Sequence, residues 1–106
     1  MKIVTTNHSL HHRFSIEKTI EMMADAGFDG IDFTDVPVMT EVWEDSYKEY
    51  AKHLCKVADD FGIRFCQTHA PITSSMLRTY NGDLQFVVDR IRRSIEFASL
   101  LGADNV

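Results

Sequence analysis

Apolar and polar positions along the chain follow two different periods in turn. Short apolar runs bounded by glycines or polar loops are typical of buried strands, whereas apolar residues spaced three and four apart are typical of amphipathic helices. The runs predict three strands, at Lys2 to Thr6, Gly30 to Thr34 and Ile63 to Thr68. Asn105 and Val106 resemble the first step of a fourth strand. The pattern therefore predicts a repeated strand–helix unit.

An amphipathic helix is predicted after each of the three strands. Ser15 is a suitable N-cap for the first helix, and Glu17 lies in its first turn, where negative charge favours the helix dipole. Asp83 is the matching N-cap of the third helix. Each helix ends at a glycine, which tolerates the left-handed conformation common at helix ends. The apolar positions are Ile16, Ile20, Met23 and Ala24 in the first helix, Tyr47, Tyr50, Ala51, Leu54, Val57, Ala58 and Phe61 in the second, and Leu84, Val87, Ile91, Ile95, Ala98 and Leu101 in the third, and the closing glycines are Gly27, Gly62 and Gly102.

Strands that alternate with helices form parallel sheets with right-handed crossovers. The connections here are unequal, because those from helix to strand are short and those from strand to helix are long. The long connections are predicted as loops at Asn7 to Phe14, Asp35 to Asp45 and Ala70 to Gly82. Since parallel strands end at the same edge of a sheet, these loops gather on one face, and we expect the functional residues there.

The first strand–helix turn helps to choose between α/β architectures. A dinucleotide-binding fold requires a glycine-rich turn after its first strand, and residues 7–12 contain no glycine. A flavodoxin-like open sheet is compatible with the periodicity alone. Part of a parallel barrel explains the long loops better, so the predicted fold class is α/β, with parallel strands and outer helices.

Charge and composition limit the classes of partner. A net charge of -5 and a pI near 5.4 argue against nucleic acid held by a basic surface. No apolar run is long enough for a membrane span, and the start Met-Lys-Ile-Val-Thr enters a strand without the features of a secretion signal. Cys55 and Cys66 fall in a predicted helix and a predicted strand, as reduced thiols. These features predict a cytoplasmic protein without a membrane partner and make a nucleic-acid partner a poor fit.

Three segments resemble the xylose isomerase-like TIM-barrel superfamily. They are the first strand with its polar end, Met1 to Asn7, the element Ala-Gly-Phe-Asp-Gly-Ile-Asp-Phe at residues 26–33, and the His-Ala-Pro element that begins at His69. The superfamily contains sugar phosphate isomerases and epimerases and the zinc-dependent apurinic endonucleases. The resemblance implies that residues 1–106 are a single partial domain, truncated relative to the family fold. This domain would be the N-terminal portion, about three and a half βα units, of a TIM (β/α)8 barrel.

The resemblance also implies a class of reaction. It indicates metal-dependent proton transfer next to a carbonyl, in a sugar or sugar-phosphate isomerase or epimerase that acts on a small sugar substrate. The full-length family uses a divalent metal (Mn, Mg, Co or Zn) whose Glu, Asp, His and Glu ligands come mainly from later strands. Because this chain contains none of those strands, the catalytic residues are expected in a missing C-terminal part.

Two other functions stay open from the sequence. One is a zinc-dependent phosphodiesterase of the apurinic endonuclease type, which would need a basic DNA-binding face that this acidic segment does not show. The other is a non-catalytic half-barrel that forms homo-oligomers through its open sheet edges.

His69 is the first candidate substrate-binding residue. Period two places Phe65, Gln67 and His69 on one face of the third strand, with His69 at the barrel mouth. In the family, a histidine at the matching position binds zinc or lies near substrate, so His69 is also a candidate metal ligand. The alternative is a structural histidine that bonds a loop carbonyl.

Asp32 is the second candidate substrate-binding residue. An unpaired charge in the middle of a strand is unfavourable, so Asp32 is expected to face the barrel mouth with Thr34 while Ile31 and Phe33 pack under the helices. Family members have an acidic residue here, close to substrate or to the metal site. A buried carboxylate that caps backbone amides is the equally weighted alternative.

Asn7 and Trp43 complete the candidate substrate-binding residues. Asn7 ends the first strand and is suited either to orient a substrate hydroxyl or to stabilise the loop that follows. Trp43 lies in the second long loop, where its ring is suited to form an apolar wall of a sugar pocket or to anchor the loop.

The first loop is rich in histidine. His8, His11 and His12 have a spacing that allows metal binding, but no cysteine or carboxylate is expected nearby to complete a ligand set. A solvated loop is therefore predicted, in which Arg13 could meet an anionic substrate. Cys66 adjoins the site but is expected to face the helices as part of the core.

Overall fold

The computed structural model describes residues 1–71 and 82–106. It contains one sheet of three parallel strands, β1 (Val4–Thr6), β2 (Gly30–Phe33) and β3 (Arg64–Thr68), in the spatial order β1-β2-β3. All three predicted strands are confirmed, and each is slightly shorter than the sequence pattern indicates. The fold class is α/β with a parallel open sheet.

The three predicted helices are also confirmed, together with the caps that the sequence indicated. The Ser15 hydroxyl accepts a hydrogen bond from the Lys18 amide at 3.1 Å, and the Asp83 carboxylate accepts one from the Phe86 amide at 3.0 Å. Gly62 ends its helix with a φ of 70°. A fourth, short helix precedes these three. Within residues 1–71 and 82–106, the helices are α1 (His8–His11), α2 (Ile16–Asp25), α3 (Tyr47–Phe61) and α4 (Leu84–Leu101).

The long strand-to-helix connections contain more regular structure than predicted. The segment Asn7 to Phe14 was expected to be a loop, but the Asn7 carbonyl accepts bonds from the amides of Leu10 and His11 at 3.1 and 3.0 Å, which begins α1. The next connection contains two 3-10 helices, Val36–Val38 and Thr40–Trp43.

In the third connection, predicted as a loop from Ala70 to Gly82, residues 72–81 lie outside the described part of the chain.

The helices cover one face of the sheet. Ile31 and Phe33 of β2 are fully buried, as is Phe65 of β3, and the rings of Phe33 and Phe65 have centroids 5.4 Å apart. Burying one such side chain stabilises the fold by about 1.5–3 kcal/mol. This confirms the prediction that Ile31 and Phe33 pack under the helices. The helical residues of the same cluster include Ile20 from α2, Leu54 from α3 and Phe97 from α4.

A bulge in β3 changes which residues share a face. Ile31 lies beside Phe65 and Asp32 beside Gln67, so Cys66 is an extra residue without a partner on β2. The prediction that Phe65, Gln67 and His69 share one face by period two is therefore wrong, because Phe65 packs in the core whereas Gln67 lies beside Asp32.

Cys66 was expected to face the helices, and this prediction is also wrong. A Cβ placed on Gly30 would lie 2.3 Å from the Cys66 Sγ, so the thiol occupies the open face of the sheet, opposite the helices. Since Phe65 packs in the core, ordinary alternation puts Cys66 on the opposite face, and the bulge then keeps Gln67 on that face beside Asp32.

The outer edge of β3 continues into the last residues of the chain. The Thr68 amide donates to the Asn105 carbonyl at 3.0 Å, and the Asp104 amide donates to the Cys66 carbonyl at 3.0 Å. Gln67 and Asn105 form a parallel bridge. The segment predicted to begin a fourth strand thus lies beside β3. Within the described residues, no helix has the length and apolar character needed to cross a membrane.

Candidate functional site

The carboxyl ends of β2 and β3 bring Asp32 and His69 together. His69 Nε2 lies 3.0 Å from Asp32 Oδ1, with 47% of the histidine side chain and 25% of the aspartate side chain exposed. Asp32 faces away from the helices, as predicted, because its neighbours Ile31 and Phe33 occupy the core. The pair is therefore open to a ligand on the uncovered face of the sheet.

The Asp32 carboxylate can accept a hydrogen bond from the His69 ring. When Nε2–H donates to the carboxylate, Nδ1 of the neutral imidazole is the acceptor. The side-chain nitrogen of Gln67 lies 3.4 Å from the same Nε2 and adds an amide to the group. An acceptor nitrogen, a carboxylate oxygen and an amide are suited to bind hydroxyl and carbonyl groups.

A cleft adjoins this pair on the side of β3. It has a volume of about 420 Å³, which falls within the range of small-molecule sites. The cleft is lined by Gln67, Thr68, His69, Ala70, Asn105 and Val106.

Asn7 lies at the same edge of the sheet but is completely buried. Its Oδ1 accepts bonds from the Thr34 amide at 2.9 Å and the Thr34 hydroxyl at 3.2 Å, while its Nδ2 donates to Asp35 Oδ2 at 3.0 Å. A substrate contact at Asn7, which stays a prediction, would require these bonds to break. The contacts described here position Thr34 and Asp35.

The structure also brings together Asp35 and His8, which lie far apart in the sequence. Asp35 follows β2 and is buried, and its Oδ1 lies 2.7 Å from Nδ1 of His8, which follows β1. His12 stands beside His8, with ring centroids 4.5 Å apart. The histidine-rich segment therefore does have a carboxylate, contrary to the sequence prediction, because β1 and β2 are neighbours and their ends meet.

Trp43 is placed in a different environment from the Asp32–His69 pair. The Arg90 guanidinium lies over the Trp43 ring, 4.0 Å from its centroid, and the two residues line a shallow cavity of about 180 Å³ with Phe86, Asp89 and Arg93. These contacts join the second long connection to α4. The role of Trp43 as a wall of a sugar pocket stays a prediction.

His69 lacks a full set of metal ligands in the described part of the chain. There, the group of three metal-capable side chains is His8, His12 and Asp35, and it does not include His69. Asp32 and His69 supply two donors, fewer than the three or four protein ligands typical of zinc sites. A metal at His69 would thus need ligands from elsewhere.

No protein family, curated protein or solved structure matches this chain.

Proposed function

We propose that this chain is the N-terminal part of a TIM-barrel sugar or sugar-phosphate isomerase or epimerase, as its resemblance to the xylose isomerase-like superfamily suggests. The observation that carries the proposal is the Asp32–His69 pair, 3.0 Å apart at the ends of adjacent parallel strands. Catalytic and binding residues of TIM barrels lie at this position. In the proposal, Asp32 and His69 bind and orient the hydroxyl and carbonyl groups of the sugar.

The topology supports a barrel over a doubly wound sheet. The strand order is β1-β2-β3, and Asn105 extends the sheet beyond β3. In a flavodoxin-like sheet the first strand would lie between the second and third, and in a dinucleotide-binding sheet the fourth would lie beside the first. A sequential order with helices on one face is the arrangement of a barrel wall.

Asp32 and His69 do not form a complete metal site, so no reaction step is assigned to a metal here. Their part in the proposal is to bind the substrate, to hold its carbonyl in one orientation and to maintain one tautomer of His69. The groups that move the proton are expected outside these residues.

The test is solvent exchange at the carbon next to the sugar carbonyl. We would incubate the product of the complete reading frame with aldose and ketose phosphates in D2O and follow deuterium incorporation by NMR. Asp32→Asn and His69→Asn are each expected to lower kcat/KM by about ten- to a hundredfold, since each removes a hydrogen bond to a charged group. The proposal is wrong if no sugar exchanges, or if both variants exchange at the wild-type rate.

The chain offers a matched control for these variants. His53 and Glu17 form a second histidine–carboxylate pair, also 3.0 Å apart, that joins α3 to α2 on the helical side. Since this pair is half-exposed and away from the strand ends, His53→Asn should leave exchange unchanged. A loss in this variant as well would indicate a general effect on folding.

Self-association is a second candidate function, favoured by the open face of the sheet. β1 is an edge strand, and Ile3 and Val4 have 50% and 42% of their surface exposed. Exposed apolar edges of this kind pair with other strands. The occupant would be the rest of the barrel in a longer protein or a second copy of this chain.

A further inference from the structure

We propose that His8, His12 and Asp35 form a binding site for a divalent transition metal of the zinc type. The site lies at the carboxyl ends of β1 and β2, and its three ligands do not include Asp32 or His69, which the proposed function assigns to the sugar. It therefore stands or fails independently of the proposed function.

His8 and His12 lie four residues apart on one helical turn. His8 is the first residue of α1, and His12 directly follows the helix with helical backbone angles (φ -70°, ψ -14°). Residues four apart on a helical turn lie on the same face, and two histidines at this spacing are a common pair of zinc ligands. The perpendicular contact of their rings, 4.5 Å between centroids, shows that both side chains point to the same place.

The third ligand, Asp35, is buried. The Asp35 side chain is only 2% exposed, although one of its oxygens lies 2.7 Å from the His8 ring. Burying a carboxylate is unfavourable unless positive charge or several donors compensate it. A bound dication would supply that charge, and it would replace the proton that His8 Nδ1 now shares with Asp35.

A buried partner, Asn7, orients the Asp35 carboxylate. Asn7 donates to Asp35 Oδ2 at 3.0 Å, which leaves Oδ1 directed at His8. Asn7 is itself fixed by Thr34. Outer hydrogen bonds of this kind orient the ligands of metal sites.

One ligand atom from each of the three residues lies within 4.8 Å of the other two. In a tetrahedral zinc site with bonds of about 2.0–2.1 Å, ligand atoms lie roughly 3.4 Å apart, so small side-chain rotations bring these three atoms to a single ion. Two imidazoles and one carboxylate suit zinc and related metals better than magnesium or calcium. His8 and His12 are exposed, so the fourth position is open to water.

The test uses the untagged chain, since a histidine tag would bind the same metals. Zn²⁺ affinity is measured by competition with a chromophoric chelator, and Co²⁺ is added separately because its visible spectrum reports tetrahedral coordination. We expect one ion per chain. His8→Asn, His12→Asn and Asp35→Asn should each weaken binding about tenfold or more, the loss seen even when only an outer partner of a ligand is removed.

His53→Asn and His11→Asn are the controls, and both should bind Zn²⁺ as tightly as the wild type. Circular dichroism checks the folding of Asp35→Asn, because this residue is buried, whereas the exposed His8 and His12 carry the test if that variant unfolds. Absence of binding at millimolar Zn²⁺ would overturn the proposal. Wild-type affinity in His12→Asn, or a loss only in His11→Asn, would do so as well.

Discussion

Gly30 is the position in the sheet where a close approach requires the smallest side chain. A Cβ there would lie 2.3 Å from the Cys66 Sγ and 3.2 Å from Val4 Cγ2. Cys66 faces the same side of the sheet as the missing Gly30 side chain, next to the bulge where it has no partner on β2. A glycine in a strand often marks a bulge or a close approach of this kind.

Gly30→Ala is therefore expected to lower the free energy of unfolding by about 1–3 kcal/mol, the usual effect of overpacking. Urea unfolding gives the value. The same substitution in a Cys66→Ala background should have a clearly smaller effect, because the nearest contact is then gone. Equal effects in the two backgrounds would show that the Cys66 thiol does not cause the crowding.

Asn7 gives a second prediction at the scale of single residues. Asn7→Ala leaves the Thr34 amide without its acceptor and removes the donor to Oδ2 of the buried Asp35 carboxylate, which should lower the free energy of unfolding by about 1–3 kcal/mol. Thr6→Ala is the control, since its hydroxyl makes only exposed contacts, with the Thr34 hydroxyl at 3.0 Å and the His8 amide at 3.3 Å, and its removal should have a smaller effect. A similar effect of both substitutions in urea unfolding would contradict this role of Asn7.

For single residues, the sequence predicted which face of the sheet a side chain occupies better than which other residues it contacts. Asp32 faces the open side as its strand pattern required, but the place of Cys66 depends on pairing with β2 and is not visible in β3 alone. The contact of Asp35 with His8 joins residues far apart in sequence. One signal was available for it, because both residues come shortly after strands that lie side by side in the predicted barrel.

At the scale of elements, the predictions that rested on local chemistry are confirmed. The caps at Ser15 and Asp83 form the expected bonds, and the three long helices begin and end where the sequence places them. The error at α1 has a physical reason. The segment His8–His11 lacks the apolar stripe by which a helix is recognised in sequence, and its first turn instead depends on the Asn7 carbonyl.

The contact between α3 and α4 includes a buried hydroxyl, that of Tyr50, which has no hydrogen-bond partner among the described residues. The ring of Tyr50 stacks on Phe97, with centroids 6.2 Å apart, and its hydroxyl is buried without a partner among the described residues. Burial raises the pKa of Tyr50, and the charges of Glu41 and Glu17 raise it further. The folded state therefore disfavours the ionised form of this side chain.

Tyr50→Phe should leave the free energy of unfolding at neutral pH unchanged or raise it by up to about 1 kcal/mol, since the lost hydroxyl has no partner there. In the wild type, the raised pKa makes stability fall as pH rises above the ordinary tyrosine pKa of about 10. The variant should lose less stability over this range, and urea unfolding at neutral and alkaline pH measures the difference.

Tyr47→Phe is the control for this experiment, because the Tyr47 hydroxyl does have a partner and donates to Glu96 at 2.6 Å. Its removal should not stabilise the protein at neutral pH. A clear loss of stability in Tyr50→Phe at neutral pH would show that the Tyr50 hydroxyl makes a favourable bond.

In the whole molecule, the two faces of the sheet differ in the elements and side chains that they carry. One face carries the helices and the apolar core, whereas the other exposes polar groups at the strand ends and the Val4 side chain of β1. The sequence predicted the outer helices, but it could not indicate which side chains share the opposite face, because a bulge in β3 alters its pairing with β2.

The open face leads to a prediction about the 106-residue chain. We expect it to self-associate at micromolar concentrations, and static light scattering over a dilution series measures this. Val4→Lys should weaken association, since Val4 is exposed on the open face beside Gly30 and a lysine on an edge strand opposes pairing. Lys56→Gln on the outer surface of α3 is the control. A monomer at every concentration would contradict the prediction.

We propose that Asp32 and His69 bind a sugar at the carboxyl ends of β2 and β3. An NMR titration of the ¹⁵N-labelled protein with sugar phosphates, in the wild type and in His69→Asn, tests this binding. We expect shift changes to concentrate at Asp32, Gln67 and His69 and to be lost in the variant. Shift changes confined to the cavity beside Trp43, or the same changes in His69→Asn, would contradict it.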